Sequence, residues 1–103
     1  MNKDYSGALP EAWRNISAVF SALGDEHRQR ILLSFEPDER LNVGQIAGIS
    51  TLARSTVSHH LKVLREADVL IAEREGKEIY FRVNKAFLRE AFGKVSTYFD
   101  RVL

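Results

Sequence analysis

Apolar residues recur at helical spacing through the first two thirds of the chain and again at its end, while Val69 to Val83 follows a period of two. Met1 to Leu9 has no periodicity and is expected to be a flexible N-terminal arm, with one domain over residues 10–103. Pro10 suits the first position of a helix, where its missing N–H costs nothing, and Trp13, Ile16, Phe20 and Leu23 form one face of it. Gly24 closes this helix, and Asp25 is placed to cap a second from about Glu26 to Phe35, ended by Pro37. Asn42 followed by Gln45 has the spacing of a capping box, which predicts a short third helix from Val43. After a break at Ser50–Ala53, RSTVSHHLKVLREA predicts a fourth helix with Val57, Leu61 and Leu64 facing inward. VLIAEREGKEIYFRV predicts two strands around a turn at Glu75–Gly76, and Asn84 can cap a final helix over Lys85 to Val102.

The fold class is therefore mainly α with a small β-hairpin, and the order of elements is that of a winged helix-turn-helix. Composition narrows the function. The chain has 103 residues, 45% of them hydrophobic and 28% charged, with a net charge of +1. That balance excludes a polybasic or acidic tail as the main feature. With no cysteine, thiolate metal sites, disulfides and redox thiols are excluded. Its longest apolar run, Val69 to Ala72, is too short to span a bilayer, and no apolar signal segment opens the chain. No membrane is expected as a partner, and the cytoplasm is the expected compartment.

The charge is uneven. Arg40 to Arg65 contains no Asp or Glu but holds Arg40, Arg54, Lys62, Arg65, His59 and His60, a local positive patch suited to phosphates. At about 100° per residue, Ser55, His59 and Lys62 lie opposite Val57, with Thr56 and Ser58 on the flanks. Short hydroxyls and an imidazole let a helix approach base edges closely. His60 falls about 60° from the buried centre and reads as a boundary histidine bonded to a neighbour. Arg74 and Lys77 flank the hairpin tip, within reach of a minor groove. Glu73, Glu75 and Glu78 alternate with them, so the wing reads equally well as an exposed ribbon. Catalysis finds no support: Ser58 and His59 are helix neighbours and point apart, and the six glycines are scattered. Asp25, Glu26 and His27 cluster where such residues commonly cap a helix.

RSTVSHHLKVLREADVL followed by REGKEIYFRV resembles the ArsR/SmtB family of bacterial winged helix-turn-helix repressors, as does FSALGDEHRQRIL. The resemblance covers roughly Val19 to Val83. It implies a sequence-specific, DNA-binding transcriptional regulator: a homodimeric repressor that binds a pseudo-palindromic double-stranded operator and so associates with the nucleoid. It makes the fourth helix the recognition helix and Arg74 to Lys77 the wing tip. The DNA contacts expected are Arg54, Ser55, Thr56, Ser58, His59, Lys62, Arg65, Arg74 and Lys77.

Departures from the family are specific. Asn42 and Gly44 stand where many members carry a metal-binding cysteine pair, and the last helix has no His and only Asp100. No metal site and no cofactor are therefore expected, and no effector is named by the sequence. Thr51 and Ala53 stand where members often have Gly and a capping Ser. The last helix carries Leu88, Phe92, Val95, Phe99 and Val102 at spacings of 4, 3, 4 and 3. With Trp13, Ile16 and Phe20 of the first helix this is more apolar surface than a small core can cover, so the two helices are expected to form a dimer face. The alternative is a winged-helix protein-interaction module without specific DNA readout, left open by the modest net charge.

Overall fold

The computed structural model describes the chain except for Asn2, Asp4 and Ser6, so the expected arm over 1–9 lies partly outside the described residues. A single 3-10 turn, Glu11–Trp13, precedes α1 (Ile16–Leu23). The first helix is therefore split, contrary to the continuous helix expected from Pro10. Pro10 has ψ 143° and stands before the turn, with i→i+3 bonds from Trp13 N–H to Pro10 C=O and Arg14 N–H to Glu11 C=O. The α-helical ladder begins only at Asn15, whose carbonyl accepts from Val19 N–H.

Asp25 caps α2 (Glu26–Leu33), its carboxylate accepting from the N–H groups of His27 and Arg28 at 2.8 and 3.1 Å. This helix ends two residues before Phe35. The Ser34 hydroxyl donates to Ile31 C=O at 2.6 Å, and Ser34 and Phe35 N–H groups make i→i−3 bonds that tighten the last turn. A turn with Asp38 at φ 62° leads to β1 (Leu41–Asn42). The expected capping box is present at the start of α3 (Val43–Ile49): Asn42 Oδ1 accepts from Gln45 N–H, and Gln45 Oε1 accepts from Asn42 N–H, both at 2.9 Å.

Next comes α4 (Arg54–Glu66). It ends in a Schellman motif: Asp68, at φ 63°, donates its N–H to Arg65 C=O, and Val69 N–H bonds Leu64 C=O. Leu64 and Val69 are both fully buried, supplying the apolar contact that accompanies this motif. β2 (Leu70–Glu75) and β3 (Glu78–Val83) form the hairpin. Its two-residue turn is Gly76–Lys77, one residue later than expected, with Gly76 at φ 62°. β1 adds to the far side of β3, so the sheet has three antiparallel strands in the order β1-β3-β2, one more than the sequence pattern gave. Asn84 precedes α5 (Lys85–Arg101), but its side chain makes no capping bond.

All five helices feed one core, with Val19 and Ala22 of α1, Ile31 of α2, Ile46 of α3, Val57, Leu61 and Leu64 of α4, and Ala91 of α5. The chain is elongated, 51 × 24 × 21 Å. Its radius of gyration, 16.1 Å, exceeds the roughly 13 Å of a compact domain this long.

Candidate nucleic-acid interface

The period of 3.6 sorts α4 into two faces. Val57, Leu61 and Leu64 are buried to 1% exposure or less, which fixes the rotation of the helix about its axis. The opposite side is then presented outward: Arg54, Ser55, Thr56, Ser58, His59, Lys62 and Arg65 are all exposed. Ala53 makes no side-chain cap, so the first N–H groups of α4 are left open at the positive end of the helix. Lys62 pairs with Glu66 at 3.8 Å, one turn on.

His60 is the buried polar residue of α4, as its angle implies, and its neighbour is Arg28. Arg28 Nη1 lies 3.2 Å from His60 Nδ1. The same guanidinium donates from Nε to Ala22 C=O at 2.6 Å and from Nη2 to Ser21 C=O at 3.3 Å. A guanidinium only donates, so Nδ1 is the acceptor and the imidazole is neutral with its proton on Nε2. One side chain of α2 thus ties the end of α1 to the middle of α4. Burial holds His60 below its usual pKa, with the nearby Arg28 adding to the effect and Asp25 opposing it. The N–H bonds from Arg28 and His27 hold Asp25 below the usual carboxylate range. Sequence reading assigned Arg28 no role, because its partners lie 6, 7 and 32 residues away.

The wing's charges separate by face. Residues opposed in an antiparallel pair share a face, and faces alternate along each strand. Glu73 opposes Tyr80, and Glu75 opposes Glu78. Arg74 opposes Ile79 on the other face, the one that carries Phe81 and packs on the body. On the glutamate face, Arg40 pairs with Glu75 at 2.5 Å and Glu73 at 3.6 Å and stacks 4.7 Å over the Tyr80 ring. Arg82 also bonds Glu73. Arg40 is held above its usual pKa by Glu75, and Glu73 below its own by Arg82. Arg40 is therefore not part of the positive patch its place in the acid-free segment suggested. Glu73 and Glu75 are neutralised on the face away from α4, Glu78 makes no ion pair among the described residues, and Arg74 and Lys77 remain exposed. Between α4 and the hairpin runs a groove of about 240 Å³ lined by Arg54, Ser58, Lys77, Glu78, Ile79 and Phe81 among others, so one carboxylate stands beside its two cations.

Among the described residues, no group of three or more His, Cys, Asp or Glu is arranged to hold a metal ion. No helix among the described residues is long and apolar enough to cross a membrane.

The residues expected at the dimer face divide. Ile16 is buried in the chain's own core at 4% exposure, which removes it from the outward stripe. Trp13, Leu88 and Val95 are half-buried, while Phe20, Phe92, Phe99 and Val102 are exposed. Trp13 meets Tyr98 edge-on at 5.4 Å, and Phe20 lies 6.3 Å from Phe92. The second half of α5 buries none of its residues in the body.

Residues 25–71 match the family described as bacterial regulatory protein, arsR family. The transcriptional repressor SdpR of Bacillus subtilis is 28% identical over 83 residues, covering 81% of this chain and 91% of that protein. The cadmium-resistance regulator CadC of Listeria innocua is 33% identical over 67 residues, 65% of this chain, and the chain spans only 56% of its length. An ArsR-like transcriptional regulator from Rhodococcus sp. RHA1 has the same fold, with a TM-score of 0.76 at 23% identity over 89% of both chains. A homodimeric winged helix-turn-helix DNA-binding domain from Mycobacterium bovis superposes with a TM-score of 0.66 at 26% identity, covering 84% of this chain and 79% of that one.

Proposed function

The chain belongs to the arsR family of bacterial regulatory proteins, and from that membership we propose that it is a transcriptional repressor that grips a pseudo-palindromic operator as a homodimer. One observation carries the reading: seven polar side chains of α4 face outward on a helix whose rotation is set by three buried apolar residues. In this reading α4 enters the major groove. Ser55, Thr56, Ser58 and His59 meet base edges there, and Arg54, Lys62 and Arg65 meet phosphates. Arg74 and Lys77 reach the adjacent backbone from the wing. The aromatic stripe of α1 and α5 pairs with its copy across a two-fold axis. The two recognition helices then lie about 34–36 Å apart, one turn of DNA. The protein works where the DNA is, in the cytoplasm at the nucleoid.

The relatives are named regulators rather than enzymes, and a winged-helix interaction module that ignores DNA is not favoured by them. The test is fluorescence anisotropy on DNA from upstream of the protein's own gene against a scrambled duplex, at two salt concentrations. Preference for the upstream DNA by about a thousandfold, with affinity falling steeply with salt, is expected of a specific repressor. Equal, weak binding to both duplexes would overturn the proposal.

A further inference from the structure

A second concave site lies between α2, α3 and the turn that precedes α4. These elements form the walls of a pocket of about 200 Å³ that is open to solvent on one side. Ile31 and Ile46, both buried, line it together with Ile49 and Leu52, and His27, Arg30 and Thr51 add polar groups. Two of its hydroxyls are already engaged: Ser34 donates to Ile31 C=O, and Ser50 accepts from Leu52 N–H at 2.8 Å. Arg30 is different. It makes no ion pair or hydrogen bond among the described residues, yet it lines the cavity. A site with aliphatic walls and one uncommitted guanidinium matches a small molecule with an apolar body and a single carboxylate. Size sets the class. An aliphatic cavity of about 150 Å³ holds benzene, so this one takes a ring, or a branched chain of similar bulk, bearing one carboxylate.

We propose that this cavity is an effector site for small apolar monocarboxylates, and that its occupancy changes the grip of α4 on DNA. The second half rests on the repressor reading. Ile49, Ser50, Thr51 and Leu52 line the cavity and form the end of α3 and the turn that leads to Ala53, the residue from which α4 starts. A ligand that prefers one setting of this turn shifts DNA affinity, and DNA shifts ligand affinity by the same factor.

Benzoate is the probe, titrated into the full chain and followed by amide shifts in two-dimensional NMR, with benzamide and sodium chloride at matched concentration as controls. Saturable shifts are expected at His27–Ser34 and Ile46–Leu52, with benzoate binding about tenfold tighter than its uncharged amide. Arg30→Gln, at an exposed position, should remove that tenfold advantage and leave benzamide binding unchanged. In the anisotropy assay benzoate should alter operator affinity for the wild type but not for Arg30→Gln. Three results would each overturn the site: no saturable shift, equal binding of benzoate and benzamide, or weaker DNA binding by Arg30→Gln without benzoate, which would make Arg30 a phosphate contact. Benzoate binding by a chain that grips no DNA would instead overturn the repressor reading and the coupling, and leave the site standing.

Discussion

Arg74 and Arg82 carry the same charge on the same hairpin, and the register places them on opposite faces. Arg74 shares its face with Ile79 and Phe81, toward α4, while Arg82 bonds Glu73 on the far side. Replacing either by glutamine removes one positive charge per protomer, so the two variants have the same net charge. They should nevertheless behave differently on DNA. Each phosphate contact adds about 0.9 to the slope of log K against log salt. A two-fold symmetric dimer makes every contact twice, so Arg74→Gln should lower the slope by about 1.8. Across a fourfold rise in salt, the wild type should then lose about 12-fold more affinity than the variant. Arg82→Gln should leave the slope where it was, because that guanidinium neutralises a glutamate rather than a phosphate. Anisotropy titrations of the three proteins on one operator duplex, at four or more salt concentrations, measure these slopes directly. Equal slope changes in both variants would mean that DNA responds to total charge and not to the wing's geometry. No change in either would mean that the wing does not touch the backbone at all.

Three further outcomes are expected. His60 is held below its ordinary value of 6.5, first by burial and then by Arg28, His27 and His59 against the opposing Asp25. The unfolded chain therefore binds more protons than the folded one between the depressed pKa and 6.5, and stability should fall as pH drops below 6.5. Urea midpoints at about pH 7.5 and about pH 5.5 measure the loss; His60→Gln, which keeps an acceptor for Arg28, should reduce it, and an identical loss in both proteins would refute the assignment. Asn42→Ala removes one bond of the capping box and should cost about 1 kcal/mol, lowering the melting temperature by roughly 5 °C; an unchanged melt would show that the box adds nothing. Phe99 is 60% exposed in the single chain. Losing its burial at a two-fold interface costs about 1.5–3 kcal/mol per copy, so Phe99→Glu should weaken the dimer by roughly two to four powers of ten. Sedimentation should then show a folded monomer, and a persistent dimer would place the interface elsewhere.

The outward face of α4 was legible because its signal is local. Thirteen consecutive residues follow one period, and three apolar positions fix which side is inward. The capping box at Asn42 and the Asp25 cap were legible for the same reason, since both partners lie within three residues. β1 was not, because two residues carry no period. Its partner β3 lies about forty positions away, and only the register Leu41↔Phe81 makes it a strand. The split of the first helix hid behind a regular apolar spacing: Trp13 and Ile16 keep the helical interval although a turn separates them. Ile16 then goes into the core while Phe20 stays out, a choice made by what packs against α1.

The wing is the more instructive case, because its charges were read as a sum when their positions carried the information. Glu73 and Glu75 share parity, while Arg74 shares that of Leu70 and Ala72, so the period of two already put them on opposite faces. What the period does not supply is the partner. Arg40 reaches Glu73 and Glu75 from more than thirty residues upstream, and that pairing decides that these two carboxylates are spent within the protein. The same division holds at α4. Its reading face follows from local spacing, whereas its placement against α1 depends on Arg28 bridging Ala22, Ser21 and His60. Substitutions on the local face should therefore change which DNA is bound. Substitutions at Arg28 should instead change how firmly α4 is held, and weaken binding to every sequence alike.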